Sequence, residues 1–410
     1  MYNVESNMQK QSKLSSTNSI GIEKQDSKSW LFLLILGILG FIAGLSLILY
    51  SLLEPKEEAA SLVFPKIPTA ADSDGVYSPL TGNALGEGAR VDAPTYCIQT
   101  PNGTDGARPQ AGLNEAGVVF EAIAEAGITR FAAIYQNPQS AVIGPIRSLR
   151  LYYLEWDTPF DCTIVHAGGA DDALAALSAG GYKDLTENYA YMYRGTRGSR
   201  LWNNLFTTST NLGQFGADNG FNTSNVRGFS RMTPLESRQN LVDNQVSEKL
   251  VITKPTTANT SELAPKVTTM NFLFGNVPTY NVNYIYEPAT NSYNRYYGDG
   301  TPHDIYACPA ENLGEANPED VCTLTQMSPS VVIAMIVPEQ RAADGYHEDI
   351  TAVGSGTAYI FQNGVAIEGT WSKSAREEQI KFQDATGAEI KLAPGQTFIS
   401  AVPNYGGVEY

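Results

Sequence analysis

Six arginines between residues 130 and 200 are the side chains of this sequence best suited to ligand chemistry. They are Arg130, Arg147, Arg150, Arg194, Arg197 and Arg200. A guanidinium group holds a carboxylate or phosphate through two parallel hydrogen bonds, so clustered arginines can recognise an anionic ligand. The whole chain is nevertheless acidic, with 27 Lys and Arg against 43 Asp and Glu and a net charge of −16. This balance argues against a nucleic-acid-binding protein, which needs a broad basic surface.

His166 lies at the end of a hydrophobic segment and is followed closely by Gly168 and Gly169. The pattern predicts a strand that ends in a glycine turn, where α/β sheets tend to bind ligands and where backbone N–H groups can hold an anion. We therefore expect Arg147, Arg150 and His166 to line a cleft for an anionic envelope ligand. A peptidoglycan or teichoic-acid fragment would have suitable charge.

Other interpretations of these residues stay open. The arginines could instead pair with carboxylates and hold the domain together; those carboxylates are Glu121, Glu125, Glu155, Asp171 and Asp172. Catalysis would need a general acid and base, and the one coherent set is Glu121 or Glu125 with His166. A metal site at His166, Asp171 and Asp172 is weaker, since aspartates at a helix start usually cap the helix. We assign no catalytic residue, metal or cofactor.

The elements that must position these side chains form a predicted α/β region. Residues 118–135 are compatible with one amphipathic helix, but glycine followed by β-branched residues favours a hairpin that turns at residues 126–127. In that hairpin Glu125 and Arg130 flank the turn and could face each other.

Two helices are predicted beyond the hairpin. Gly144-Pro145 suits the first turn of a helix that would place Arg147 and Arg150 on one face. A second helix is expected over residues 171–181, with two aspartates at its start and two glycines at its end.

The four cysteines divide into two kinds. Cys308 and Cys322 bracket a polar insertion that contains proline and glycine, and a disulfide there would close a loop of about 15 residues, worth about 3 kcal/mol. Such a bridge implies an oxidising compartment. Cys97 and Cys162 lie in apolar, strand-like segments, and we expect them to be small buried hydrophobic residues.

A composition change marks residues 253–267 as a linker, and residues 268–410 are predicted to form a small β-rich domain. Residues 331–337 resemble a buried strand, and Asn363-Gly364 between alternating segments is a strong hairpin signal. The preceding part, residues 76–252, is the α/β domain.

Aromatic and histidine residues of the β-rich segment have competing interpretations. The tyrosines of residues 280–297 could form a glycan-stacking platform, but ordinary strand packing is the simpler explanation. His303 and His347 occur in acidic, loop-like surroundings, so we expect both to be exposed rather than functional.

Residues 30–53 form an uncharged apolar run that is long enough to cross a bilayer as a helix. The run exceeds the apolar region of a signal peptide, so we predict an uncleaved anchor. A modest excess of lysine before it favours a cytoplasmic N-terminus and extracytoplasmic C-terminal domains. Residues 1–29 are predicted to be a disordered tail, and residues 54–75 a stalk.

Several ordered motifs resemble the YerB-like family of bacterial envelope lipoproteins, a domain of unknown function (number 3048). The matching segments are PLTG at 79–82, GITRF at 127–131, GPIRSLR at 144–150, HAGG at 166–169 and GSGTAYIFQNGVAIEGTWSK at 354–373. The resemblance covers most of residues 77–403. It implies an extracytoplasmic protein of two domains and brings no established activity, cofactor or substrate.

The sequence departs from this family in two places. No cysteine precedes Cys97, so the predicted membrane helix stands in for the lipid of the family's lipoproteins. The family's His-Asn-Leu-Tyr-Thr-like stretch is matched here by residues 203–207, with Asn203 in the histidine position and Asn204 in the asparagine position. We include Asn204, with Glu125 and Arg130, among the ligand-binding candidates.

The sequence thus predicts a single-pass cell-membrane protein whose α/β domain and β-rich domain face outwards. Its expected role is binding or scaffolding an anionic cell-envelope ligand. The alternative is an envelope hydrolase or transferase that acts on a wall polymer with a Glu/His acid–base pair. The bilayer, reached through residues 30–53, is the one expected partner besides that ligand.

Overall fold

The computed structural model describes residues 75–196, 203–250, 266–275, 277–311 and 313–410, with backbone alone for 245–250. The predicted tail, membrane span and most of the stalk and linker lie outside these residues, as do Arg197 and Arg200. Within the described ranges, no helix is both long enough and apolar enough to span a membrane.

The N-terminal half of the described chain alternates strands with short helices. Its strands are β1 Thr95–Pro101, β2 Val118–Glu125, β3 Ile128–Gln136, β4 Thr163–Val165, β5 Lys183–Leu185, β6 Tyr193–Arg194 and β7 Leu205–Phe206. Its α-helices are α1 Leu151–Asp157, α2 Asp171–Ser178, α3 Ser209–Asp218 and α4 Pro234–Leu250.

The C-terminal part is rich in strands. They are β8 Thr269–Leu273, β9 Val282–Glu287, β10 Ser292–Tyr297, β11 Asp304–Ala307, β12 Thr323–Gln326, β13 Val331–Val337, β14 Glu339–Arg341, β15 Glu348–Ile350, β16 Gly354–Gln362, β17 Val365–Lys373, β18 Lys381–Gln383, β19 Thr397–Pro403 and β20 Gly407–Glu409. One short helix, α5 Pro318–Val321, lies between β11 and β12. The protein is therefore a mixed α+β structure with a β-rich C-terminal region.

A ten-stranded sheet organises the fold and draws strands from both predicted domains. Its order is β18-β17-β16-β13-β19-β2-β3-β1-β4-β5. The two halves meet where β19 pairs in parallel with β2, from Thr397 opposite Val118 to Ser400 opposite Glu121. A four-stranded antiparallel sheet, β10-β9-β8-β20, belongs wholly to the C-terminal part.

Each face of the large sheet is covered by a different hydrophobic layer. On one face Phe120 stacks on Trp156 of α1, with 5.4 Å between ring centroids. Clusters on the other face include Phe131 against Phe398, and Phe272 of the small sheet against Phe361. The β2 and β3 strands are buried on both faces, which is why their sequences read as nearly continuous apolar runs.

The predicted hairpins are present. The β2–β3 hairpin turns at Ala126-Gly127, where both residues have positive φ. Asn363 and Gly364 also have positive φ at the β16–β17 turn, as a type I′ turn requires. The buried strand predicted at 331–337 is β13.

The helix predicted to begin at Gly144-Pro145 begins instead at Leu151. Backbone N–H groups of the preceding residues donate to other segments, with Arg147 N to Gln99 O at 2.7 Å and Leu149 N to Gly168 O at 2.9 Å. These tertiary hydrogen bonds keep residues 144–150 out of the helix that the local sequence predicts. Arg147 and Arg150 consequently do not share a helical face, because Arg150 is extended.

Both cysteine pairs form disulfides. The bridge predicted between Cys308 and Cys322 is present. Cys97 and Cys162 are buried, as expected, but they form a second bridge rather than acting only as small hydrophobic residues. The parallel pairing of β1 with β4 brings these two residues together across 65 positions, a contact that local sequence does not encode.

Candidate functional site

Glu125 links two of the predicted arginines in a partly exposed cluster at the end of the β2–β3 hairpin. Its carboxylate accepts from Arg130 Nη2 at 2.8 Å and from Arg150 Nη2 at 2.5 Å. Burial alone would raise the pKa of the Glu125 carboxyl, but the two guanidinium charges outweigh burial and hold the pKa below its usual value. The facing of Glu125 and Arg130 expected from the hairpin is therefore correct.

Neither arginine of this cluster is fully satisfied by the groups around it. Arg130 Nη1 donates to Ser148 O at 3.0 Å and Arg150 Nη1 to Leu149 O at 2.9 Å. The Nε atoms of both arginines are buried and find no hydrogen-bond partner among the described residues. An unpaired buried donor costs about 1–3 kcal/mol, which a ligand or water could recover.

A β-bulge gives Glu125 its partners. Strands β2 and β3 pair regularly from Val118 to Ile123 and then shift register between Ile123 and Glu125. Side chains alternate between the two faces along a strand, so an extra residue places the side chains that follow it on the opposite face of the sheet. Glu121 therefore lies on one face of the sheet and Glu125 on the other, although their spacing of four predicts a shared face.

Glu121 belongs to a separate and fully buried network on the opposite face. Arg295 Nη2 donates to its two carboxylate oxygens at 2.9 and 2.8 Å, and Thr129 Oγ1 donates at 2.9 Å. Arg295 also donates to Nδ1 of His303, whose Nε2 lies 3.0 Å from Gln110 Oε1. Glu121, Arg295 and His303 are all 0% exposed.

The sequence did not reveal this network, and the expected exposure of His303 is wrong. Burial lowers the pKa of His303 well below its usual value, and the charges of Arg295 and Arg108 lower it further. A neutral ring that accepts at Nδ1 and donates from Nε2 fits both neighbours. One signal was available: the period-two alternation of Tyr293, Arg295 and Tyr297 places all three on the buried face of β10.

His166 is buried and its ring is fully engaged. Nδ1 lies 2.7 Å from Gly168 O, and Nε2 lies 3.0 Å from Asp184 Oδ1. Gly168 adopts positive φ, as expected for the turn. The Gly168 carbonyl of this turn faces the histidine ring. The N–H groups of Ala167 and Ala170 already donate to backbone carbonyls, so fewer backbone donors remain for the predicted anion site.

The structure does not bring His166 into contact with either glutamate. Glu121 bonds to Arg295, Glu125 bonds to Arg130 and Arg150, and His166 bonds to Asp184. A general acid and base must lie within hydrogen-bond reach of one reacting group. In the described part of the chain, no group of three or more His, Cys, Asp or Glu is arranged to hold a metal ion.

Arg147 lies within electrostatic reach of Glu125, Arg150 and Arg194. Burial lowers the pKa of Arg147; Glu125 and Asp105 oppose this effect, and the charges of Arg150 and Arg194 add to it. Arg194 donates to Glu187 at 2.6 Å and to Asn204 Oδ1 at 3.1 Å. The predicted residue Asn204 thus orients an arginine, and its own amide donates to Gly195 O at 2.9 Å.

A cavity of about 690 Å³ opens beside Arg150. One wall comes from α1 and the start of α2, and the other from residues 342–353, which contain β15 and the loop before it. The backbone of His347 in that loop forms a bridge with Glu125, so the loop is joined to the arginine cluster. Local sequence patterns could not indicate the second wall, because its residues are about 200 positions from Arg150.

The other predicted ligand groups have ordinary structural roles. Tyr284 and Tyr293 are buried in the small sheet, which supports strand packing over a glycan platform. Asp172 lies in the first turn of α2 and accepts from Ala173 N at 2.7 Å. His347 is partly exposed and pairs with Asp344.

The chain matches both domain models of one family. The N-terminal domain of the protein of unknown function DUF3048 matches residues 80–222, and its C-terminal domain matches residues 272–399. A curated relative, "Putative lipoprotein YerB" of Bacillus subtilis (strain 168), is 38% identical over 103 residues. That stretch is 25% of this chain and spans 30% of the relative's length.

A solved structure has a similar fold. The crystal structure of the YerB protein from Bacillus subtilis has a TM-score of 0.61 at 21% identity. The similarity covers 82% of this chain and 100% of that chain. Together with the two domain matches, it confirms the resemblance inferred from the motifs: this chain belongs to the DUF3048 family.

Proposed function

We propose that this protein binds an anionic component of the cell envelope, without chemical turnover, at the cavity beside Arg150. The observation that carries the proposal is the cavity itself. Its volume of about 690 Å³ lies in the range of small-molecule sites, and a guanidinium group with an unpaired Nε forms part of its wall.

The charges around Arg150 support an anionic group on the ligand. Glu125 is shared between Arg130 and Arg150, so one carboxylate faces two guanidinium groups. Arg147 adds a third positive charge within electrostatic reach. An anionic group of the ligand placed against Arg150 would gain charge-assisted hydrogen bonds.

The proposed location is the outer side of the cell membrane. The apolar run at 30–53, the two disulfides and the name of the Bacillus relative as a lipoprotein support it. In this arrangement residues 30–53 anchor the chain with a cytoplasmic N-terminus.

A hydrolase acting through a Glu/His pair is the less favoured alternative. Its carboxylates are held by arginines, and both nitrogens of His166 already have partners. No contact among the described residues supplies the acid–base pair that this chemistry needs.

The binding proposal is tested with purified full-length protein and solubilised cell-wall fragments. Arg150→Gln should weaken binding about tenfold, since Arg150 lines the cavity and one charge-assisted hydrogen bond contributes about 1.5 kcal/mol. Arg90→Gln removes an exposed arginine from the remote ion pair with Asp92 and serves as the matched control. Equal affinity of both variants and the parent for the fragments would exclude the proposed site.

A further inference from the structure

The cavity beside Arg150 is lined by carboxylates as well as by the arginine, so it also suits a cationic group on the ligand. Its lining includes six carboxylates against Arg150 and His347; they are Glu155, Asp171, Asp172, Asp344, Glu348 and Asp349. Two of the six already have cationic partners, because Asp344 pairs with His347 and Glu348 pairs with Arg341. The remainder give the walls a net negative charge.

These carboxylates lie on both sides of the cavity. Glu155 projects from α1, and Asp171 and Asp172 start α2, while Asp349 belongs to β15 on the opposite wall. Glu155 is half-buried, and burial raises the pKa of its carboxyl above the usual value, with Arg376 and Lys373 opposing the effect. Desolvated carboxylates of this kind gain from a cation brought into the same space.

Arg150 supplies a second and independent observation. The Arg150 side chain is 5% exposed, lines the cavity, and has a buried Nε donor without a partner among the described residues. This donor needs an oxygen acceptor. Leu151, Tyr152, Ile350 and Val353 add an apolar stretch to the same lining.

We propose that the cavity takes a zwitterionic peptide. A carboxylate of the peptide accepts from Arg150, its ammonium group lies against Glu155 and Asp171, and its aliphatic part contacts the apolar stretch. The inference rests on the proposed binding function and narrows the ligand from an anion to a peptide that carries a free amine.

Three synthetic peptides distinguish the charge requirements. The zwitterion is Ala-Glu-Lys, the anion is the same tripeptide acetylated at both amines, and the cation is Ala-Gln-Lys amide. Calorimetric titration into purified full-length protein should give the tightest binding for the zwitterion, about fivefold or more tighter than for either of the others.

Protein variants assign the effect to the cavity. The double variant Glu155→Gln, Asp171→Asn should remove the advantage of the zwitterion over the anion, while Glu87→Gln, an exposed carboxylate elsewhere, should leave it intact. Thermal unfolding of each variant checks that it remains folded.

The possible failures are separable. Equal binding of the zwitterion and the anion overturns the ammonium requirement and leaves the binding function standing. Equal binding of the zwitterion and the cation overturns the role given to Arg150. Binding of wall fragments without binding of any tripeptide overturns the peptide assignment, and absence of binding to wall fragments overturns the proposed function as well.

Discussion

Glu121 and Glu125 lie four residues apart on one strand, yet they serve two different regions of the molecule. Glu121 is 0% exposed and is enclosed by Arg295, Thr129 and neighbouring polar groups. Glu125 has a side chain 13% exposed and shares its carboxylate between two arginines at the edge of a cavity. One extra residue between them, the bulge at Ile123/Glu125, separates the two environments.

The comparison shows how the same ion-pair chemistry can serve structure or recognition. In the Glu121 network, the carboxylate, guanidinium and imidazole groups of Glu121, Arg295 and His303 all have partners. Nη2 of Arg108, whose charge lies near these groups, is a buried donor without a partner among the described residues. The Glu125 cluster is incomplete, because donors on Arg130 and Arg150 remain unpaired. Complete burial and satisfaction indicate a stabilising role, whereas incomplete satisfaction beside a cavity is typical of a binding role.

The largest effect is expected from Glu121→Gln. Removing the carboxylate leaves Arg295 as an uncompensated buried charge, which costs about 3–5 kcal/mol. Urea unfolding monitored by circular dichroism would measure the loss. A loss below about 1 kcal/mol would show that the network is more hydrated than the structure indicates.

A double replacement tests whether the unpaired buried charge causes this destabilisation. Changing Arg295→Met together with Glu121→Leu should restore much of the stability, because the buried charge is removed along with its partner. If the double variant is as unstable as Glu121→Gln, then lost packing, rather than the unpaired buried charge, causes the destabilisation.

A smaller loss, about 1–3 kcal/mol, is expected for Glu125→Gln. Water reaches this carboxylate, and the uncharged amide can still accept a hydrogen bond from one arginine. The variant should also change the affinity for wall fragments, which Glu121→Gln should not do in the folded protein. Destabilisation as large as that of Glu121→Gln would remove the distinction between the two regions.

The pH dependence of stability should also distinguish the Glu121 network from the Glu125 cluster. His303 has a pKa well below 6.5 when folded, so the unfolded chain takes up a proton first and stability falls as the pH drops below about 6.5. Glu125 has a lowered pKa, so its contribution is present above 4.5 and is lost as the pH falls through the folded value. The Glu121 network thus weakens at higher pH than the Glu125 cluster.

Glu339 must be replaced by an uncharged residue in this measurement, because its titration changes the stability in the opposite direction with pH. Burial raises its pKa to about 7, so the folded protein keeps a proton that the unfolded chain has released, and stability falls as the pH rises towards 7. In a Glu339→Gln background, His303→Gln should flatten the stability curve between about pH 5 and 6.5. An unchanged slope would contradict the neutral, buried state of His303.

Sequence patterns predicted the features that depend on neighbouring residues. The β2–β3 and β16–β17 hairpins, the buried strand β13 and the pairing of Glu125 with Arg130 all follow from local alternation and turn residues. The Cys308–Cys322 bridge, which closes a short loop, belongs to the same group.

Features that depend on distant contacts were not predictable in this way. Helix α1 starts late because residues before it bond to segments far along the chain, and Cys97 meets Cys162 through parallel strand pairing. The Glu121–Arg295 pair joins residues 174 positions apart. No turn residue or proline in the sequence marks the bulge between Glu121 and Glu125.

Hydrogen–deuterium exchange on the full-length protein, with and without solubilised wall fragments, tests the central claim most directly. We expect added protection in residues 146–155 and 342–353, which flank the cavity, and unchanged exchange in residues 292–303 around the Glu121 network. Protection confined to residues 292–303, or no change at 342–353 while the fragments are bound, would contradict it.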